Sequence, residues 1–192
     1  MSQVKIVVFA GSVRTGSFNA KLADLAQKRL EANGAMVTRV DLKDYELPIY
    51  CGDIEEQQGV PEAAKKLHKI IADHDGVVVT SPEFNSSIGP LLINTLNWLS
   101  RVSENGGKAA IFGNKVYAIS SASPGGFGGY RGLMALRGFL ELGVGAHVLP
   151  EMVSIASAHE AFDEEGELKV PFADSMLTTM LEKLVEKSAK TA

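Results

Sequence analysis

The sequence predicts an α/β fold built on a five-stranded parallel sheet with helices on both faces. Short apolar, β-branched runs alternate with segments of helical spacing along nearly the whole chain, an order that implies βαβ units with right-handed crossovers. The first and third runs, at 4–10 and 76–81, are almost continuously apolar, as strands buried on both faces are expected to be. Five strands suit the order 2-1-3-4-5 rather than a six-stranded arrangement. With 192 residues, 45% of them hydrophobic, the chain is long enough for one domain, 1–192, around a sizeable core.

Each element has its own signal. Val4, Ile6, Val7, Val8 and Phe9 make the first strand, which stops at Ala10-Gly11-Ser12. A polar turn leads to a helix over 20–32, with Leu22, Leu25, Ala26 and Leu30 at helical spacing and Asn33-Gly34 as its stop. MVTRVDL at 36–42 alternates like a strand exposed on one side. Residues 45–60 hold Pro48, Gly52 and Gly59 and read as a long loop. Pro61 opens a helix to about 74, because proline suits the first helical position. A buried strand follows at 76–81, a helix at 88–101, a strand at 115–121 and a helix at 130–142. A short strand at 145–149 and an amphipathic helix at 172–188 complete the pattern.

Composition removes several classes of function. The net charge is −4, with acids and bases mixed throughout, so a nucleic-acid partner has no basic stripe to use. No apolar run reaches the length of a membrane span. The chain begins directly with a strand, and no secretory signal is expected. Cys51 is the single cysteine, which forbids an internal disulfide and fits a reducing, cytoplasmic setting. His68, His74, His147 and His159 lie in different segments without ligand spacing, so no metal is expected.

In sheets of this order, ligands bind beyond the carboxyl ends of the strands, near the switch in strand order. The loops after strands one, three and four should therefore carry the chemistry. The first, GSVRTGSFN (11–19), combines Ser12, Ser17 and Asn19 as neutral donors with the planar fork of Arg14. It precedes a helix N-terminus, where free N–H groups and the dipole favour an anion. The same residues also suit a plain strand-to-helix turn with Ser17 as N-cap. The loop lacks G-x-G-x-x-G, and Gly106-Gly107-Lys108 is followed by Ala109 and completes no nucleoside-triphosphate loop. What remains suits a single phosphate monoester.

The second loop, Ser81 through Pro90, is stiffened by two prolines and carries Phe84 as a flat face beside Asn85 and Ser87. A heteroaromatic ring uses that combination; a capping turn with Phe84 packed in the core is the alternative. The third, Ser120 through Gly129, places four glycines in five positions and leaves backbone amides accessible. Together the loops describe a pocket for a phosphorylated planar heterocycle, and FMN has those parts.

Three motifs in order, GSVRTGSFN (11–19), PEFNSSIGPLLINTLNWLSR (82–101) and SPGGFGGYRGLMALR (123–137), make the chain resemble the NAD(P)H-dependent FMN reductases of flavodoxin-like fold, which include quinone, azo-dye and chromate reductases. The resemblance implies that Ser12, Arg14, Ser17, Phe18 and Asn19 hold phosphate and ribityl. It implies that Pro82, Glu83, Phe84 and Asn85 line the flavin, with Ser121, Ser123 and Gly125 on the opposite loop. Hydride would pass from NAD(P)H to FMN, then electrons to a quinone, azo compound, metal oxyanion or free flavin. No side chain is expected to act as a general acid, and Glu83 is expected to contribute chiefly through its backbone. A flavodoxin-type electron carrier is the competing reading. The family's usual tyrosine is Phe84 here, and its L-K-N-x-x-D-W is Leu92-Ile93-Asn94-Thr95-Leu96-Asn97-Trp98. The apolar residues of that helix spread over more than one face, which points to a homodimer or homotetramer. Arg131 and Glu151 read as intersubunit or structural partners, or equally as a surface pair or as making no contact.

Overall fold

A computed structural model describes residues 3–191. In chain order the elements are β1 (Lys5–Ala10), α1 (Phe18–Ala32), β2 (Met36–Val40), α2 (Gly52–Gln58), α3 (Glu62–Ala72), β3 (Gly76–Thr80), β4 (Glu83–Phe84), β5 (Ser87–Ile88), α4 (Pro90–Leu99), β6 (Val116–Ala122), α5 (Tyr130–Gly138), β7 (His147–Ile155), α6 (Ala158–Ala161) and α7 (Pro171–Thr191). The main sheet is wholly parallel in the order β2-β1-β3-β6-β7, which is the predicted 2-1-3-4-5.

Period-two alternation sorts each strand between two cores. Ile6 and Val8 face one side with Leu22 and Leu30 of α1 and Leu177 and Leu181 of α7. Val7 and Phe9 face the other with Leu67 of α3, Leu96 of α4 and Leu136 of α5. Side chains of this size contribute about 1.5–3 kcal/mol each when fully buried, so both helical layers are held by the same central strands.

Four expectations change. Residues 45–60 contain α2, which buries no residue of its own and so shows no apolar stripe. The segment is held instead by α4: the Asn94 side chain accepts from Tyr50 N–H at 2.8 Å and donates to Pro48 C=O at 2.9 Å. Trp98 Nε1 donates to the same carbonyl at 2.7 Å. The last strand runs to Ile155 rather than 149, passing through Pro150. It lies at the sheet edge, where a missing N–H is tolerated. A hairpin, β4–β5, turns through Asn85 and Ser86, both at positive φ (50° and 64°), the pattern of a mirror-type two-residue turn. Finally, Leu92, Leu96, Trp98 and Leu99 of α4 are all buried within the chain. Trp98 packs edge-on against Tyr50 at 5.0 Å, so part of the extra apolar surface covers the 45–60 segment, while Leu91 stays half-buried.

Candidate active site

The loops after β1, β3 and β6 meet at the carboxyl end of the sheet around a cleft of about 340 Å³. Ser12, Arg14, Ser17, Phe18 and Asn19 line it from the first loop, Pro82, Glu83 and Phe84 from the second, and Ala122, Ser123 and Pro124 from the third. A second hollow of about 180 Å³ adjoins it through Ser12, Arg14 and Phe84 and continues to Val13, Pro90 and Leu91.

The first loop feeds α1, whose first turn contains no acidic residue. Ser17 is the N-cap: its hydroxyl accepts from Ala20 N–H at 3.3 Å and keeps its own O–H to donate. The helix starts at Phe18, two residues before the expected point, because this cap is in place. The N-cap reading of Ser17 therefore holds, and the residue also lines the cleft. The N–H groups of Phe18 and Asn19 lie in the first turn, with no carbonyl four residues back inside the helix to receive them. Arg14 is exposed, donates to Thr15 C=O and Gly16 C=O at 3.2 Å each, and rests 5.8 Å from the Phe18 ring. Its guanidinium is thus folded over the loop that it is expected to serve.

Asn19 has a structural part besides the one expected. Its buried amide bonds both backbone groups of Ala122, donating to C=O at 2.9 Å and accepting from N–H at 3.0 Å. Thr80 Oγ1 donates to Asn19 C=O at 2.7 Å. The side chain ties α1 to β6, and Asn19 also lines the cleft.

The second loop places Phe84 53% exposed, which removes the alternative of a core aromatic. Asn85 sits at the exposed hairpin tip and does not line the cleft. Glu83 contributes more than backbone. One oxygen accepts from Arg131 Nη2 at 2.6 Å and Nε at 3.1 Å, and the other accepts from Gly132 N–H at 2.9 Å. Burial pushes the Glu83 carboxyl up, but these donors outweigh it and hold it below the ordinary carboxylate value. Arg131 therefore pairs with Glu83, and Glu151 pairs with Lys183 of α7. Within the chain, then, Arg131 and Glu151 have separate partners.

In the third loop, Ser123 lines the cleft, with its hydroxyl accepting from Gly125 N–H at 3.3 Å. Gly125 is exposed at the loop surface beyond the lining residues. Ser121 is fully buried, its hydroxyl unpaired, beneath Gly129. A Cβ on Gly129 would fall 1.9 Å from that oxygen, and Ser121 is not among the residues that line the cleft. Ala122 and Pro124 line the cleft although nothing in their chemistry marks them in sequence.

The donor set fits FMN. Arg14, two serine hydroxyls and the α1 N-terminus converge where one phosphate monoester would be held. The one carboxylate among the lining residues, Glu83, is paired with Arg131. Gly125 and Gly126 stand at unstrained φ, and a Cβ on either would meet nothing closer than 3.7 Å; the loop is open to a flat ring.

Comparison with known proteins agrees with this geometry. Residues 4–160 match the NADPH-dependent FMN reductase family. An NAD(P)H-dependent FMN reductase of Pseudomonas aeruginosa is 32% identical over 183 residues, covering 94% of this chain and 93% of that protein. A quinone reductase of Escherichia coli K12 is 31% identical over 138 residues, 72% of this chain and 70% of that one. Among solved structures, the flavoenzyme NAD(P)H:(acceptor) oxidoreductase FerB of Paracoccus denitrificans superposes with a TM-score of 0.74 at 25% identity, covering 97% of this chain and 98% of that one. With three loop motifs meeting at one cleft and the match running through all of them, the chain belongs to the NADPH-dependent FMN reductase family.

Proposed function

We propose that this chain holds one FMN in the cleft and passes reducing equivalents from NAD(P)H to a small planar acceptor, with quinones first and azo compounds next. One observation carries the reading: the three loops at the switch in strand order line a single cleft, and its polar end is a donor set for one phosphate. Bound FMN would supply the redox chemistry, so that one NAD(P)H and one proton convert a quinone to its hydroquinone.

The protein's part is to hold, orient and shield. Arg14, Ser12, Ser17 and the first N–H groups of α1 would hold the phosphate end. Asn19, locked to Ala122, keeps the helix that carries those groups at a fixed distance from β6. Phe84 and the open backbone at 125–126 would border the ring. No side chain of the cleft has the placement of a proton donor, since Glu83 is ionised and saturated by Arg131 and Gly132. The proton that completes the acceptor therefore comes from solvent.

The carrier reading lacks the acidic docking face that a dedicated electron carrier uses, because charge is nearly balanced. A cytoplasmic setting suits the exposed, free Cys51. A homo-oligomer remains part of the proposal, supported by exposed Tyr130 and Met134 on α5 rather than by α4. Extraction of the flavin from purified protein tests the cofactor assignment: FMN is expected, and FAD as the dominant species would overturn it. Steady-state oxidation of NADPH with a benzoquinone tests the acceptor.

A further inference from the structure

Phe127, the apolar tip of the glycine-rich loop, stands 68% exposed. A bare phenyl ring on a loop whose Ser123 and Pro124 line the cleft is costly in water and is unexplained by the core. It is not loose: the Arg131 guanidinium lies over it, 4.9 Å from the ring centroid, within cation–π distance. The same guanidinium grips Glu83 through Nε and Nη2, and Glu83 in turn accepts from Gly132 N–H.

This is not an incidental surface pair, because the backbones beneath it are in direct contact. A Cβ on Gly132 would sit 3.1 Å from Glu83 Cα and from Ser87 C=O. Glu83, with 9% of its side chain exposed, begins the hairpin whose next residue is the exposed Phe84. One arginine therefore couples the element that carries Phe84 to the loop that carries Phe127.

We infer that Arg131 is a positioning residue for acceptor recognition: through Glu83 and Phe127 it sets the relative placement of two exposed aromatic rings that receive a planar, quinoid or azo-aromatic acceptor. The inference rests on the reductase function proposed above. Lysine keeps the charge but loses the planar stack and the two-donor grip on one carboxylate oxygen; Arg131→Lys should restore only part of what Arg131→Met removes.

The test uses FMN-loaded protein and three readouts on wild type, Arg131→Met and Arg131→Lys, with melting temperature recorded to confirm folding. The KM for 2-methyl-1,4-naphthoquinone should rise about tenfold in Arg131→Met and by less in Arg131→Lys. The KM for ferricyanide, which has no planar ring to stack, should stay within about twofold. Calorimetric titration of the oxidised proteins with xanthone, a redox-inert planar ring, should show the same loss of affinity without turnover. Equal changes for naphthoquinone and ferricyanide, or unchanged xanthone affinity, would overturn the inference. Failure of the wild type to oxidise NADPH would instead strike the proposed function itself.

Discussion

Asn19 shows how one residue type can serve two readings that only packing separates. In sequence it is a neutral donor beside a phosphate loop; in the structure both of its amide atoms close on Ala122. Asn19→Ala should strand two buried backbone groups and cost about 2–4 kcal/mol of folding stability, measured by urea unfolding of the apoprotein. Unchanged stability would return Asn19 to the ligand. Phe84 runs the other way. Because it is more than half exposed, Phe84→Ala should change stability by less than about 1 kcal/mol while weakening FMN or acceptor binding by about 1–3 kcal/mol. A large fall in melting temperature with affinities intact would place it in the core after all. Arg14→Ala should weaken FMN by about 1.5–3 kcal/mol, the scale of a charge-assisted hydrogen bond, in a fluorescence titration of apoprotein with FMN.

At the scale of elements, the glycine-rich loop divides into two parts with different physical roles. Gly128 has φ of 60°, and a Cβ there would lie 2.8 Å from the backbone of Ile155 and Ala156. Gly128→Ala should therefore cost about 2–4 kcal/mol, whereas Gly125→Ala should cost less than about 0.5 kcal/mol; parallel urea midpoints compare them. Only the second part, at 125–126, is free for a ligand. Sequence alone does not separate these glycines, since φ and close approach depend on where β7 ends. The strands and the three ligand loops were legible because apolar runs and turn residues are local signals. By contrast, α2 buries nothing of its own and is tied down by Arg101, 46 residues away, whose Nε donates to Glu55 at 2.9 Å. Glu83 and Arg131 are likewise 48 residues apart, so their pairing has no local trace. The reach of β7 through Pro150 depends on its place at the sheet edge, which the order of strands decides.

For the whole molecule, α7 closes the fold and is stapled by charge. Arg29 of α1 bonds Glu167 at 2.8 Å and Asp174 at 2.5 Å, and Lys28 bonds Glu167 at 2.6 Å. Lys28 first, and Arg29 with it, hold the Glu167 carboxyl below its ordinary value. A carboxyl depressed on folding contributes stability that is present above its unfolded pKa and is lost as pH falls through the folded one. Stability should thus decline below about pH 4.5, and Glu167→Gln should flatten that decline in urea midpoints taken from pH 6 to pH 3; an identical pH slope in the variant would remove Glu167 from the account. The carboxyl ends of β1, β3 and β6 open onto one cleft, where the proposed flavin-dependent reduction would take place. Anaerobic stopped-flow mixing of the FMN-loaded protein with NADPH, followed at the flavin absorbance near 450 nm, tests it most directly. Rapid bleaching of one FMN per chain, reversed on adding a quinone, is the predicted result; a flavin that stays oxidised in excess NADPH would contradict it.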